Sequence, residues 1–170
     1  MTQSHISKRL PYLGLLLAFS IILSYVESLI PMDFLVPGIK LGLPNFSIVL
    51  CLCCFKRRDA FILALFKSVI ISLLFGNMMS FFYGFVGAMF SILVMIGMFT
   101  FKKFSIPVIS AIGGVCFNIG QMLVAFVVLK SDGLLYYLPI LLLAGMFTGI
   151  IIGLLVVLVL PKINIRGIIS

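Results

Sequence analysis

What most constrains this chain is a succession of apolar runs, each about the length needed to cross a bilayer and separated by only a few polar residues. Crossing the hydrocarbon core takes about 20 apolar residues in a helix. Runs near residues 10–30, 41–55, 60–76, 79–101, 105–129 and 134–160 use almost all of the 170 residues. With 64% hydrophobic and 9% charged residues and a mean hydropathy of +1.38, the chain lies far outside the soluble globular range. The runs are continuous and do not alternate, which argues against a lipid-facing β-barrel. The expected fold is an all-α membrane protein, six transmembrane helices in one compact bundle spanning residues 1–170.

Charge placement supports that topology. The net charge is +8. Lys8, Arg9, Lys56, Arg57, Arg58, Lys102, Lys103, Lys162 and Arg166 collect on one side of an even helix count, against Lys40 and Lys130 on the other. Basic residues in short loops mark the cytoplasmic side. Both termini are therefore expected to be cytoplasmic, and the basic surplus reads as attraction to anionic lipid, not nucleic acid. The first run continues past Ser20 without a small-x-small cleavage pattern, so it is read as a retained helix and not a signal peptide.

The connection from Glu27 to Asn45, ESLIPMDFLVPGIKLGLPN, is unusually rigid and polar for so apolar a chain. It holds three of the seven prolines (Pro31, Pro37 and Pro44), two of the four acidic residues (Glu27 and Asp33) and Lys40. Proline fixes φ and glycine frees it, so such a stretch adopts a defined turn-rich path. It is expected to form the lid and part of the lining of a small-molecule site on the outer face.

Each helix adds something. Gly14-x-x-x-Ala18 and Ser20-x-x-x-Ser24 in the first permit close helix approach, either within the bundle or against a partner subunit. Asp59 is placed to cap the third helix. Lys67 lies within that helix; a central lysine costs about 2.5–3.5 kcal/mol to insert and usually faces a cavity. Reaching back to the inner headgroups is the favoured alternative, with Lys67 taken as two turns from the inner end. Phe81, Phe82 and Tyr83 open the fourth helix, as interfacial belt residues or as a stack for a flat ligand. Asn118 and Gln121 share one face of the fifth. Buried amides need partners, and lining a polar cavity is preferred over interhelical bonding, so Asn118→Ala should weaken ligand binding more than Gly145→Ala. Gly145, Gly149 and Gly153 make a packing face on the sixth.

Other chemistry is missing from the sequence. Cys51, Cys53, Cys54 and Cys116 fall in apolar runs with no accompanying histidine and read as buried thiols. No metal or cofactor is expected. Glu27, Asp33, Asp59 and Asp132 are isolated, unlike the clustered aspartates that hold magnesium on a diphosphate. There is no glycine-lysine phosphate loop and no nucleophile, base and orienting acid together. An enzyme is not expected; a binding module needing an external energy source is.

The segments SYVESLIP, VPGIKLGLPN, ISLLFGN and NIGQ together resemble the Gx transporter family, also labelled heptaprenyl diphosphate synthase component I. That family is similar to the substrate-binding S-components of energy-coupling factor (ECF) transporters. The resemblance implies a six-helix protein of a bacterial cytoplasmic membrane that captures a micronutrient outside. It also implies a membrane coupling subunit and two cytoplasmic ATPase subunits as partners. It points to Gly14 and Ala18 for docking, and to Lys40, Asn45, Tyr83, Asn118 and Gln121 for the ligand, alongside Glu27 of the lid. Phe117 departs from the family pattern, in which a histidine often precedes the asparagine. Aromatics and amides near one face suit a flat, polar-edged ligand such as a flavin or quinone precursor. The alternative is a membrane subunit assisting prenyl diphosphate or quinone synthesis.

Overall fold

The computed structural model describes residues 2–29, 42–75, 78–101, 103–130 and 136–163, and every regular element among them is helical. Lys40, most of the proline-rich connection, Gly76, Asn77, Lys102 and Asp132 lie outside the described residues. Six α-helices follow one another: α1 (Thr2–Leu29), α2 (Asn45–Cys54), α3 (Arg57–Phe75), α4 (Met78–Phe101), α5 (Ile106–Leu129) and α6 (Leu138–Val159), with a short 3₁₀ turn at Leu160–Lys162.

Local chemistry explains the helix ends. Pro44, which has no N–H to leave unpaired, immediately precedes α2, and the chain turns extended at Phe55. At the start of α3 the Asp59 carboxylate accepts the backbone N–H of Lys56 at 3.2 Å, closing the first turn and placing negative charge at the positive end of the helix dipole. The same carboxylate meets Arg9 at 3.6 Å, which ties the beginnings of α1 and α3 to one end of the bundle. Pro107 and Pro139 sit in the first turns of α5 and α6. Lys130 ends α5 in the left-handed conformation at φ 45°, donating its N–H to the Phe126 carbonyl.

Among the described residues, four helices are long and apolar enough to cross a membrane: α1 from Arg9, α4, α5 and α6. α2 and α3 differ from that pattern. α3 carries Arg57, Arg58, Asp59 and Lys67 in nineteen residues. α2 has ten residues, a length of about 15 Å against a hydrocarbon core of about 30 Å. The run at 41–55 is thus shorter as a helix than the expected span, because Gly42 to Pro44 are spent on a turn. α1 also starts before the expected boundary and carries Pro11 within it.

α2 forms the middle of the core. Ile48, Val49, Leu50, Cys51, Leu52 and Cys54 are buried against Ala60, Leu63 and Ala64 of α3, Ile92 and Met95 of α4, Ile109 of α5, and Ile152 and Val156 of α6. Cys51, Cys53 and Cys54 are free thiols within this packing. On the α5–α6 side the glycines let backbones meet. A Cβ at Gly149 would come within 2.5 Å of the Ser110 carbonyl, and Gly145 rests on Gly114. α1 lies at the edge, with Leu10, Leu15, Phe19, Ile22 and Val26 exposed.

Candidate functional site

Two chain directions meet at the first residue of α2. Because α2 is about half the length of its neighbours, Asn45 begins part-way down the bundle and not at its end. Ser20 of α1 donates to the Pro44 carbonyl at 3.1 Å, pinning the turn there. Gly42, at φ 74°, makes the bend that brings the chain in, a conformation that glycine adopts without steric cost. Its N–H donates to Glu27 Oε1 at 2.8 Å, so the turn is tied to α1 at a second height.

Lys67 reaches this turn from α3. It lies ten residues past Arg57, about 15 Å along the helix, and is only 6% exposed. Its Nζ donates to Asn45 Oδ1 at 2.6 Å. The expected reach back to the headgroups is therefore corrected. α3 starts at Arg57, three residues before the expected run at 60–76, which puts Lys67 nearly three turns in, where its ammonium meets Asn45.

Around these groups lies a cavity of about 60 Å³, lined by Ser24 and Glu27 of α1, Asn45, Lys67 and Ser68, with Ile71, Ala88 and Phe117 among its apolar walls. The Ser68 hydroxyl donates to the Ala64 carbonyl at 2.8 Å and keeps its lone pairs for another donor. A polar cavity of this size is large enough to hold water. Buried charges persist only when paired or hydrogen-bonded, and here both charged side chains that line the cavity have such bonds.

The structure distributes the expected site residues unevenly. Glu27 and Asn45 line the cavity. Asn118 is buried one layer away, donating to the Leu141 carbonyl of α6 at 2.6 Å, the interhelical bond that the sequence offered as the alternative. Gln121 is buried between α5 and α4, its Cγ 3.0 Å from where a Cβ at Gly87 would stand. Tyr83 is half-buried on α4, and neither it nor Asn118 nor Gln121 is among the lining residues. Lys67, Ser24 and Ser68 were not singled out as ligand groups. The signal for Lys67 was its position inside an apolar run, and Phe117 was marked only as a departure from a pattern.

Gly14 and Ala18 face outward on α1, with nothing within 4 Å of a Cβ at Gly14, whereas Ser20 and Ser24 are buried. The two small-residue stripes of α1 thus have different surroundings.

A family model described as heptaprenyl diphosphate synthase component I matches residues 16–159, most of the chain. The chain belongs to that family. The match runs from the middle of α1 to the end of α6, so the Glu27–Gly42 tie, the α2 half-helix and the Lys67–Asn45 bond all fall within the matched stretch. No curated protein and no solved structure gave a match.

Proposed function

We propose that this member of the heptaprenyl diphosphate synthase component I family is the substrate-capturing S-component of an ECF-type transporter. The observation that carries this reading is the polar cavity lined by Glu27 of α1, Gly42 and Asn45 of the turn into α2, and Lys67 of α3. In this reading all six helices cross or enter a bacterial cytoplasmic membrane, with the basic end inside, and Lys40, Tyr83, Asn118 and Gln121 complete or support the site. Half-helices that begin inside the bilayer recur where transporters hold substrate, since irregular backbone there must line a cavity or be buried.

The exposed Gly14 and Ala18 face supports docking to a membrane coupling subunit, because small residues allow helix backbones to approach in lipid. Two cytoplasmic ATPase subunits would supply the energy, and the chain itself would not be an enzyme. Affinity purification of the tagged chain from its native membrane tests the reading. Recovery of a coupling subunit with ATPases, and ATPase activity in the eluate, is the expected result.

The family's description favours a second reading, a membrane subunit that assists heptaprenyl diphosphate synthesis. Recovery of a soluble prenyltransferase in place of the ATPases would select it.

A further inference from the structure

A second, smaller cavity borders the same turn, toward α4, α5 and α6. Gly42 and Asn45 line both cavities, and Ser91 of α4, Ser110 of α5 and Thr148 of α6 bring hydroxyls to the second. Hydroxyls in helices can return to the carbonyl four residues back, as Ser68 does to Ala64 and Thr148 to Ala144. Ser91 and Ser110 do not. Each is 4% exposed, and neither hydroxyl bonds another described group. We propose that this cavity is a binding site for one water molecule, which ties Asn45 to α4, α5 and α6. The inference stands on the second cavity alone and holds whichever function the first one serves.

Size, charge and the arrangement of donors lead to this occupant. The volume of about 10 Å³ is close to the least that holds one water, about 10–15 Å³, and far below the about 300–1,000 Å³ of a small-molecule pocket. Among the described residues no charged side chain lines this cavity. An ion there would lack a counter-charge, in surroundings where burying charge is expensive. Asn45 gives its Oδ1 to Lys67, which turns the two N–H groups of its amide away from that bond. Water accepts from one of them and donates to Thr148 Oγ1, whose own proton goes to the Ala144 carbonyl. Ser91 and Ser110 fill the remaining positions as donor or acceptor, since a hydroxyl rotates to suit its partner. Asn45 is then fixed at both ends of its amide, by Lys67 at Oδ1 and by water at Nδ2.

The test pairs a high-resolution crystal structure of the full chain in lipid with thermal unfolding of Ser91→Ala and Ser110→Ala in detergent. An ordered oxygen should stand about 2.5–3.0 Å from both serine hydroxyls. Each alanine should lower the Tm by about 2–4 °C, as the loss of one hydrogen bond does in a chain of this size. Alanine favours a helix more than serine does, so a drop reports the hydroxyl's lost partner and not the backbone. Without water the sign changes: deleting an unpaired buried hydroxyl removes a cost, and the Tm holds or rises. The proposal needs both results. A map with no oxygen at that position overturns it, as does density for an ion or a larger molecule. So does a Tm that holds or rises in either variant.

Discussion

The Nζ of Lys67, in the middle of α3, donates to the side-chain oxygen of Asn45, the first residue of α2, across 2.6 Å. That bond joins the charge that is most costly to bury to the point where the chain returns into the bundle. Asn45 itself is held from behind, as its N–H donates to the Gly42 carbonyl at 2.8 Å. The site therefore depends on a turn and a helix start more than on any one helix face.

Asn45→Leu should destabilise the protein by about 1.5–3 kcal/mol, the value of a hydrogen bond to a charged group. Lys67→Met removes the charge along with its need for a partner. The double variant should lose less than the sum of the two single losses, with a coupling of about 0.5–3 kcal/mol. Denaturant titration in micelles gives the cycle, and zero coupling would mean that the two side chains do not depend on each other.

Gly145→Ala should cost more stability than Asn118→Ala. A Cβ at Gly145 would stand 2.5 Å from Asn118 Nδ2 and 2.7 Å from the Gly114 carbonyl, so the α5–α6 contact must open, at about 1–3 kcal/mol. Asn118→Ala forfeits the bond to Leu141, and interhelical bonds in membrane proteins average about 0.6 kcal/mol with a maximum near 1.7. Ligand affinity should follow the same order, the reverse of the expectation drawn from the sequence, because Asn118 is spent on α6. Unfolding and binding measured on the same two variants check both halves. A larger binding loss in Asn118→Ala would return that residue to the ligand.

The helices were legible in the sequence because prolines, glycines and the KRRD cluster interrupt otherwise continuous apolar runs. The expected 79–101 and 105–129 lie within a residue of α4 and α5. Facing was far less legible. In a chain like this the core-facing and outward sides of a helix are both apolar, so no polar stripe marks which side is which. Asn118 and Lys67 show the consequence. Each is a polar residue in an apolar run: sequence offered an interhelical partner or a cavity for Asn118, and a cavity or the inner headgroups for Lys67. Asn118 found a backbone carbonyl because Gly145 lets α6 come close, and Lys67 found the cavity because α2 is short. Neither cause is local to the residue.

Gly42→Ala should loosen the turn without touching the cavity walls on α3 or α4. An L side chain at φ 74° costs roughly 1–2 kcal/mol, and its Cβ would lie 3.2 Å from Asn45 Nδ2. The loss should appear as a lower Tm. Gly42→Asn should recover part of it, since asparagine tolerates the left-handed region better than alanine. Equal losses from both would place the cost in crowding, not in backbone strain.

Ala18→Leu and Ser20→Leu separate the two small-residue stripes of α1. Ser20 is fully buried and donates to the Pro44 carbonyl, so leucine there both overfills the contact with the turn and breaks its anchor, at about 1–3 kcal/mol. Ala18 is exposed, and an outward substitution should change stability by no more than about 0.5 kcal/mol. In the membrane, however, the added side chain would hold off a helix that must approach the Gly14 and Ala18 face closely. Ala18→Leu should therefore keep its Tm and its ligand in detergent while the coupling subunit no longer copurifies with it. If Ala18→Leu lowers the Tm as much as Ser20→Leu does, the outer stripe is part of the bundle's own packing and α1 has no docking face there.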